Sequence, residues 1–221
     1  MTPSGECMTK QTPEFDLAFR ERLRSLFQWR RDVRRFRGDA VPQPLLEELL
    51  ALTDFAPSVG NSQPWRFVAV ASEEMRAAVR REFARCNAEA LASYHGERAA
   101  LYARLKLEGL GMAPVQLAVF VDEATEQGAG LGQRTMPETR TLSVVAAIHT
   151  LWLAARAHGL GLGWLSILEP ERLNELLDVP SDWRFVAYLC IGWPEEEHSD
   201  PELQRQGWQE RQQRGRIALC R

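Results

Sequence analysis

The sequence predicts an α+β domain with a small central sheet, mixed or antiparallel, flanked by helices. Three observations predict it. Helix-like and strand-like segments are interspersed without the strict βαβ repeat of a parallel sheet. The strand-like runs are short and few: Phe67–Val70, Val115–Val121, Leu162–Leu168 and Phe185–Ile191. Finally, Leu142–His158 is apolar nearly all round, centred on Ile148 and Trp152. Such a helix is either fully wrapped or shared with a second copy, and a homodimer is the expectation.

Residues 1–13 are polar and expected to be flexible, which leaves a single domain over 14–221. Leu17, Leu23, Leu26 and Phe27 recur at roughly helical spacing up to an arginine run. Pro42 and Pro44 open a second helix, whose Leu45, Leu46, Leu49, Leu50 and Phe55 make one apolar stripe. It stops at the dense turn signal Ala56-Pro57-Ser58-Val59-Gly60-Asn61. Ser72 can cap a charged helix that begins Glu73-Glu74. Residues 86–113, with Tyr94, His95, Tyr102 and Lys106, are less periodic and read as helical segments forming a lid rather than core. The loop 122–137 carries Gly128, Gly130 and Gly132, and Gly159 stands where a helix C-cap favours glycine. Pro170–Leu177 is a short helix, and Gly192-Trp193-Pro194 closes the last strand. From residue 195 the chain is polar and reads as an extended C-terminal arm.

The 221 residues are ample for a sizeable core. The net charge of −3 gives no general pull toward nucleic acid or anionic membrane. Cys7, Cys86, Cys190 and Cys220 are far apart and form no C-x-x-C pair, so reduced thiols are expected. No apolar signal core opens the chain, and its most apolar stretch is shorter than the roughly 20 residues of a membrane span. A cytoplasmic protein with no membrane or nucleic-acid partner is expected. His95, His149, His158 and His198 are scattered singly, which predicts no metal site.

Two constellations carry chemistry. Arg30-Arg31-Asp32-Val33-Arg34-Arg35-Phe36-Arg37 concentrates guanidinium groups, which grip phosphate through paired, charge-assisted hydrogen bonds. A solvated charged face is the plain alternative. Downstream, Pro57-Ser58-Val59-Gly60-Asn61-Ser62-Gln63-Pro64-Trp65 sets Ser58, Asn61 and Gln63 on a turn beside a large aromatic. Such a turn can present donors and acceptors to the edge of a planar heterocycle. The glycine patterns at 128–132 and 159–163 lack the strand-then-helix context of a dinucleotide fingerprint and read as turns.

In combination the two elements resemble the FMN-dependent nitroreductase superfamily, which has R-R-S-x-R-x-F and, about one helix later, P-S-x-x-N-x-Q-P-W. The G-L-G strand and the G-x-P ending follow as well, so the likeness spans about residues 15 to 210. It implies an intertwined α+β homodimer with FMN at the subunit interface. Within the superfamily the chain is most similar to the 5,6-dimethylbenzimidazole synthase subfamily. Arg-Arg-Asp-Val-Arg at 30–34, Leu105-Lys106-Leu107-Glu108-Gly109, Arg134-Thr135-Met136-Pro137-Glu138-Thr139 and Gly163-Trp164-Leu165-Ser166-Ile167-Leu168 carry that likeness. It implies oxygen-dependent fragmentation of reduced FMN, consumed as substrate, with a ribityl carbon built into the lower ligand of cobalamin. A separate NAD(P)H-dependent flavin reductase would supply the reduced flavin.

The resemblance implies cofactor contacts from Arg30, Arg31, Asp32, Val33, Arg34, Ser58, Asn61, Gln63, Leu165 and Ser166. Asp32 stands where most of the superfamily has a serine. A carboxylate beside a reduced flavin costs electrostatic energy unless Arg30 and Arg34 offset it, and a costly buried charge is more often functional. Asp32 is therefore the expected acid/base and Ser166 the second catalytic residue, against the plain reading of Ser166 as a strand serine bonded to backbone. The family's C-terminal phosphate-gripping pair is incomplete, since Asp200 falls where an arginine is expected; Arg205 is the substitute at hand. Two rival functions are an NAD(P)H-dependent nitroreductase or flavin reductase, and a non-catalytic flavin-binding protein.

Overall fold

The computed structural model describes residues 12–212. Most of the polar N-terminus (1–11), the last part of the expected arm (213–221), and with them Cys7 and Cys220, lie outside the described residues. In chain order the elements are α1 (Leu17–Trp29), α2 (Gln43–Ala51), β1 (Trp65–Ala69), α3 (Glu73–Ala92), α4 (Gly96–Tyr102) and β2 (Val115–Asp122). Then follow α5 (Thr139–Ala157), β3 (Gly161–Leu165), α6 (Pro170–Leu177), β4 (Trp183–Gly192) and the single turn α7 (Glu202–Arg205).

The four strands form one antiparallel sheet in the order β1-β2-β4-β3. β2 is buried along almost its whole length because helices cover both faces of the sheet. Leu117, Val119 and Val121 alternate onto the face packed by α5, with Val144, Ile148 and Leu151. Ala118 and Phe120 take the other face, with Val79 of α3 and Leu173 of α6. Each of the buried Val, Leu, Ile and Phe side chains among these contributes roughly 1.5–3 kcal/mol of hydrophobic stabilisation.

Local signals set the helix ends. The Ser72 hydroxyl accepts the Met75 N–H at 3.2 Å, and Asp16 caps α1 by accepting from Phe19 at 2.7 Å. α5 ends in the paired bonds of a Schellman motif, Leu160 N–H to the Ala155 carbonyl and Gly159 N–H to that of Arg156. Gly159 there has φ +80°, which a residue with a Cβ adopts only under strain.

Four expectations shift. Phe55 is not on the α2 stripe: a 3₁₀ turn from Leu52 to Phe55 has three residues per turn, and Phe55 points outward, 83% exposed. The strand expected over Leu162–Leu168 stops at Leu165, where its ladder with β4 ends opposite Tyr188. The 86–113 region divides: α3 runs on to Ala92, whereas Tyr102, Leu110 and Ala113 are buried core residues. Gly161 and Gly163 lie on β3 rather than in a turn.

Candidate functional site

The arginine run leaves α1 at Arg30 in extended conformation and lies along the outer edge of β3. Val33 donates its N–H to the Leu162 carbonyl at 3.1 Å, and Asp32 forms a parallel bridge with Leu162, so the sheet is locally mixed. Close approach dictates the two glycines of β3. A Cβ on Gly163 would stand 2.2 Å from the Val33 carbonyl oxygen, and one on Gly161 would stand 2.8 Å from the Val33 side chain.

Asp32 is bound on both oxygens. Its Oδ1 accepts the Trp164 N–H at 2.8 Å, and its Oδ2 accepts from Arg34 Nε at 2.8 Å. Burial pushes this carboxyl above its ordinary range; Arg34 and the Trp164 N–H oppose the rise, and the nearby charge of Glu202 adds to it. About a third of the side-chain surface (32%) is still open, which leaves room for a reacting group to reach it.

The other arginines of the run are placed differently. Arg30 lies over the Trp152 ring at 4.6 Å. Arg31 closes both Nε and Nη2 onto the Ser199 carbonyl, at 2.9 and 2.5 Å. Arg34 also donates to the Lys106 carbonyl at 2.8 Å, and Lys106 pairs with Glu108 at 2.7 Å. Arg35 pairs with Glu202 at 3.0 Å and Glu196 at 3.3 Å. The result is a cleft between the run, Trp152 of α5 and the returning tail, which brings Glu202 and Arg205 to its wall. Arg205 is tied to Asp200 at 3.1 Å, so the residue in the expected arginine position is itself the partner of its substitute. A smaller crevice joins Asp32 and Arg34 to Leu107, Glu108, Leu165 and Cys190.

The predicted residues fall into two groups. Arg30, Arg31, Asp32, Val33, Arg34 and Leu165 come together around the end of β3. Ser166 is the first residue beyond that strand, exposed, and lies outside both clefts; its hydroxyl makes no hydrogen bond to any described residue, so it is not a backbone-bonded strand serine. Ser58, Asn61 and Gln63 sit elsewhere. Ser58 Oγ accepts the Gln63 N–H at 3.2 Å, and Gln127 donates to the Asn61 carbonyl at 3.0 Å and to Gln63 Oε1 at 2.9 Å. Ser143 anchors this turn by accepting the Val59 N–H at 3.0 Å. Ser143 and Trp152 are nine residues apart on α5, roughly 13 Å of helix rise. Within one chain, the turn and the arginine run therefore lie toward opposite ends of that helix.

Sequence reasoning missed Trp152, the Trp164 N–H, the Lys106 carbonyl and Glu202 as members of this site. Backbone groups carry no residue-type signal, and Glu202 stands in a polar tail 170 positions from Asp32, where no spacing rule could have singled it out. Among the described residues no three His, Cys, Asp or Glu side chains gather as a metal site.

Comparison with known proteins places this geometry. A family model described as "Nitroreductase family" matches residues 27–193. The chain is 63% identical over 199 residues to a protein of Rhodospirillum rubrum named 5,6-dimethylbenzimidazole synthase, covering 90% of this chain and 94% of the relative. A protein of the same name from Rhodobacter capsulatus is 49% identical, covering 89% and 95%. A crystal structure of oxidized iodotyrosine deiodinase bound to FMN and 3-iodo-L-tyrosine superposes with a TM-score of 0.69 at 25% identity, over 90% of this chain and 97% of the other. The chain belongs to the nitroreductase family.

Proposed function

We propose that this chain is an oxidoreductase that makes 5,6-dimethylbenzimidazole by oxygen-dependent fragmentation of reduced FMN, the product for which its two bacterial relatives are named. The observation that carries the reading is Asp32: a carboxylate held between the Trp164 N–H and Arg34, at the centre of a guanidinium-rich cleft. The donor set suits FMN. Guanidinium groups match phosphate, and the glycines of β3 let the arginine run lie flush against the strand.

Reduced FMN and oxygen supply the electrons and the carbon skeleton; the protein supplies grip, enclosure and proton transfer. Arg30, Val33 and Arg34 would hold the flavin from one side with Leu165 and Ser166. Arg31, its fork already closed on Ser199, holds the tail at the mouth of the cleft. Asp32, with its proton affinity raised by burial, moves a proton at the ribityl carbon attached to the ring. Ser166, exposed just beyond β3, has a hydroxyl free to donate to the ring or to oxygen-derived groups. Leu107 and Glu108, next to the Lys106 carbonyl that holds Arg34, wall the crevice at Asp32 against water and hydride donors.

A homodimer completes the site: Ser58, Asn61 and Gln63 of a second copy would reach the flavin that the first copy's arginine run holds. Apolar surface left open in one chain supports this. α1 has no buried residue, and Phe27, Phe55, Leu131, Met136 and Leu142 are all exposed. No described helix is long and apolar enough to cross a membrane; a cytoplasmic site of action, with reduced FMN arriving from a separate NAD(P)H-dependent reductase, fits the reading.

The test is to incubate the protein with chemically reduced FMN in air and look for dimethylbenzimidazole by mass spectrometry. Product accumulating with loss of flavin is expected. Steady NADPH oxidation with the flavin intact would instead make it a flavin reductase.

A further inference from the structure

We propose that Glu108 is a positioning residue: it folds residues 106–110 into a bracket whose Lys106 carbonyl fixes the Arg34 guanidinium, and through it the carboxyl of Asp32. This rests on the reading of Asp32 as the acid/base group.

Asp32 and Arg34 stand two apart on a run that pairs with β3, so their side chains leave the same face. The bond from Arg34 Nε to Asp32 Oδ2, at 2.8 Å, joins them but leaves the long arginine stem free to pivot. A second bond removes that freedom, since Arg34 Nη1 donates to the Lys106 carbonyl at 2.8 Å. Held at two of its nitrogens, the planar group has one orientation. Where Lys106 stands therefore decides where the Asp32 oxygen is held.

Residues 105–109 belong to no helix or strand, so no ladder fixes them. Their far end is tied to the sheet. Leu110 is buried, and its carbonyl accepts from Gln116 Nε2 at 2.9 Å. Gln116 Oε1 in turn accepts the Tyr188 hydroxyl at 2.8 Å. The middle lies on the arginine run itself: Gly109 meets the buried ring of Phe36 so closely that a Cβ would overlap it. Glu108 joins the two ends. One carboxylate oxygen accepts the Leu110 N–H, and the other accepts from Lys106 Nζ at 2.7 Å.

These two bonds differ in weight. The Lys106 side chain is 40% exposed, and an ion pair so open to water contributes little. The Leu110 N–H belongs to a core residue, and losing its acceptor leaves an unmet donor beside that core. The bond to Leu110 is thus the one that sets the bracket, and the pair with Lys106 trims it.

The experiment follows the Arg34 Nε–H signal by nitrogen-15 NMR in full-length, flavin-free protein, the signal being identified by its loss in Arg34→Lys. Glu108→Ala is expected to move it to the position and fast exchange of a freely solvated arginine. Glu108→Gln, whose amide oxygen can still accept the Leu110 N–H, should keep it. In single turnovers at saturating reduced FMN in air, Glu108→Ala should slow dimethylbenzimidazole formation by about 10–10²-fold, the scale of a misplaced reacting group. Glu108→Gln should restore most of that rate. Gly109→Ala, which presses the bracket off Phe36, should displace the same signal and covers the case in which Glu108→Ala does not fold. An Arg34 signal unmoved in folded Glu108→Ala or Gly109→Ala overturns the proposal, as does a displaced signal with the rate unchanged. Equal losses in Glu108→Ala and Glu108→Gln overturn the role given to the Leu110 bond. Failure of the underlying reading looks different: Asp32→Asn would still make product, whatever the Arg34 signal shows.

Discussion

The arginine run and the 57–65 turn are built from similar material, polar side chains on irregular backbone, yet the fold treats them differently. The run is stitched to β3 by backbone bonds, set against glycines, and its charges are met by the tail and by the turn at Lys106. The turn is braced from behind by Ser143 and Gln127, while Asn61 is exposed and Ser58 and Gln63 half-buried. One region is nearly complete within a single chain; the other presents itself outward. The difference suits the proposed two-chain site: the outward-facing turn, roughly 13 Å of α5 away from the run within one chain, is the half that a second copy would supply.

Four measurements break or sharpen that contrast. The largest effect is expected for Asp32→Asn, which keeps the shape of the run but removes the proton acceptor. Flavin binding should change little while product formation falls by about 10²–10⁴-fold; undiminished product would remove Asp32 from the chemistry. Next is Gly163→Ala. Its Cβ would collide with the Val33 carbonyl, a backbone atom that cannot rotate away. A loss of about 1–3 kcal/mol in stability and weaker FMN binding are expected, and an unaltered melting temperature would show that the run is not wedged on β3.

A third measurement addresses the two-chain site itself. Asp32→Asn and Asn61→Ala subunits, each inactive alone, should regain about a quarter of native activity when refolded together, because half the dimers are mixed and each mixed dimer holds one intact site. No recovery would place both regions in the same protomer's site.

The smallest effect concerns the far face of the sheet. Glu82 of α3 is buried and bonded to Arg85, which holds its carboxyl down at about 2, with the Cys86 thiol and the Glu169 N–H also donating. A carboxyl with a depressed folded pKa contributes stability above its ordinary value near 4.5 and loses it as pH falls toward about 2. Glu82→Gln should therefore cost about 1–2 kcal/mol at neutral pH, with the gap closing across that acid window and FMN affinity unmoved. A change in flavin affinity would mean that this face communicates with the site.

Much of this was legible in the chain. The position of each strand, the Ser72 cap, the Gly159 stop and the Pro170–Leu177 helix follow from local chemistry, since hydrophobic period and capping residues act within a few positions. The family likeness also rests on two local motifs. Phe55 and the end of β3 were misplaced for a reason of the opposite kind. A single 3₁₀ turn and the end of a ladder with β4 depend on what packs against them, not on their own residues.

By itself, then, the sequence determined the fold class, the family and the two motifs from which the candidate site is proposed, because these are written in segments of ten or so residues. Only the tertiary structure decided what those residues face: that Asp32 accepts a strand N–H, that Arg31 is closed on Ser199, that Glu202 returns to the cleft from 170 positions away, and that the turn points elsewhere. Such pairings depend on how distant elements pack, and side-chain burial and distance, not residue type, fix the chemistry that each group performs.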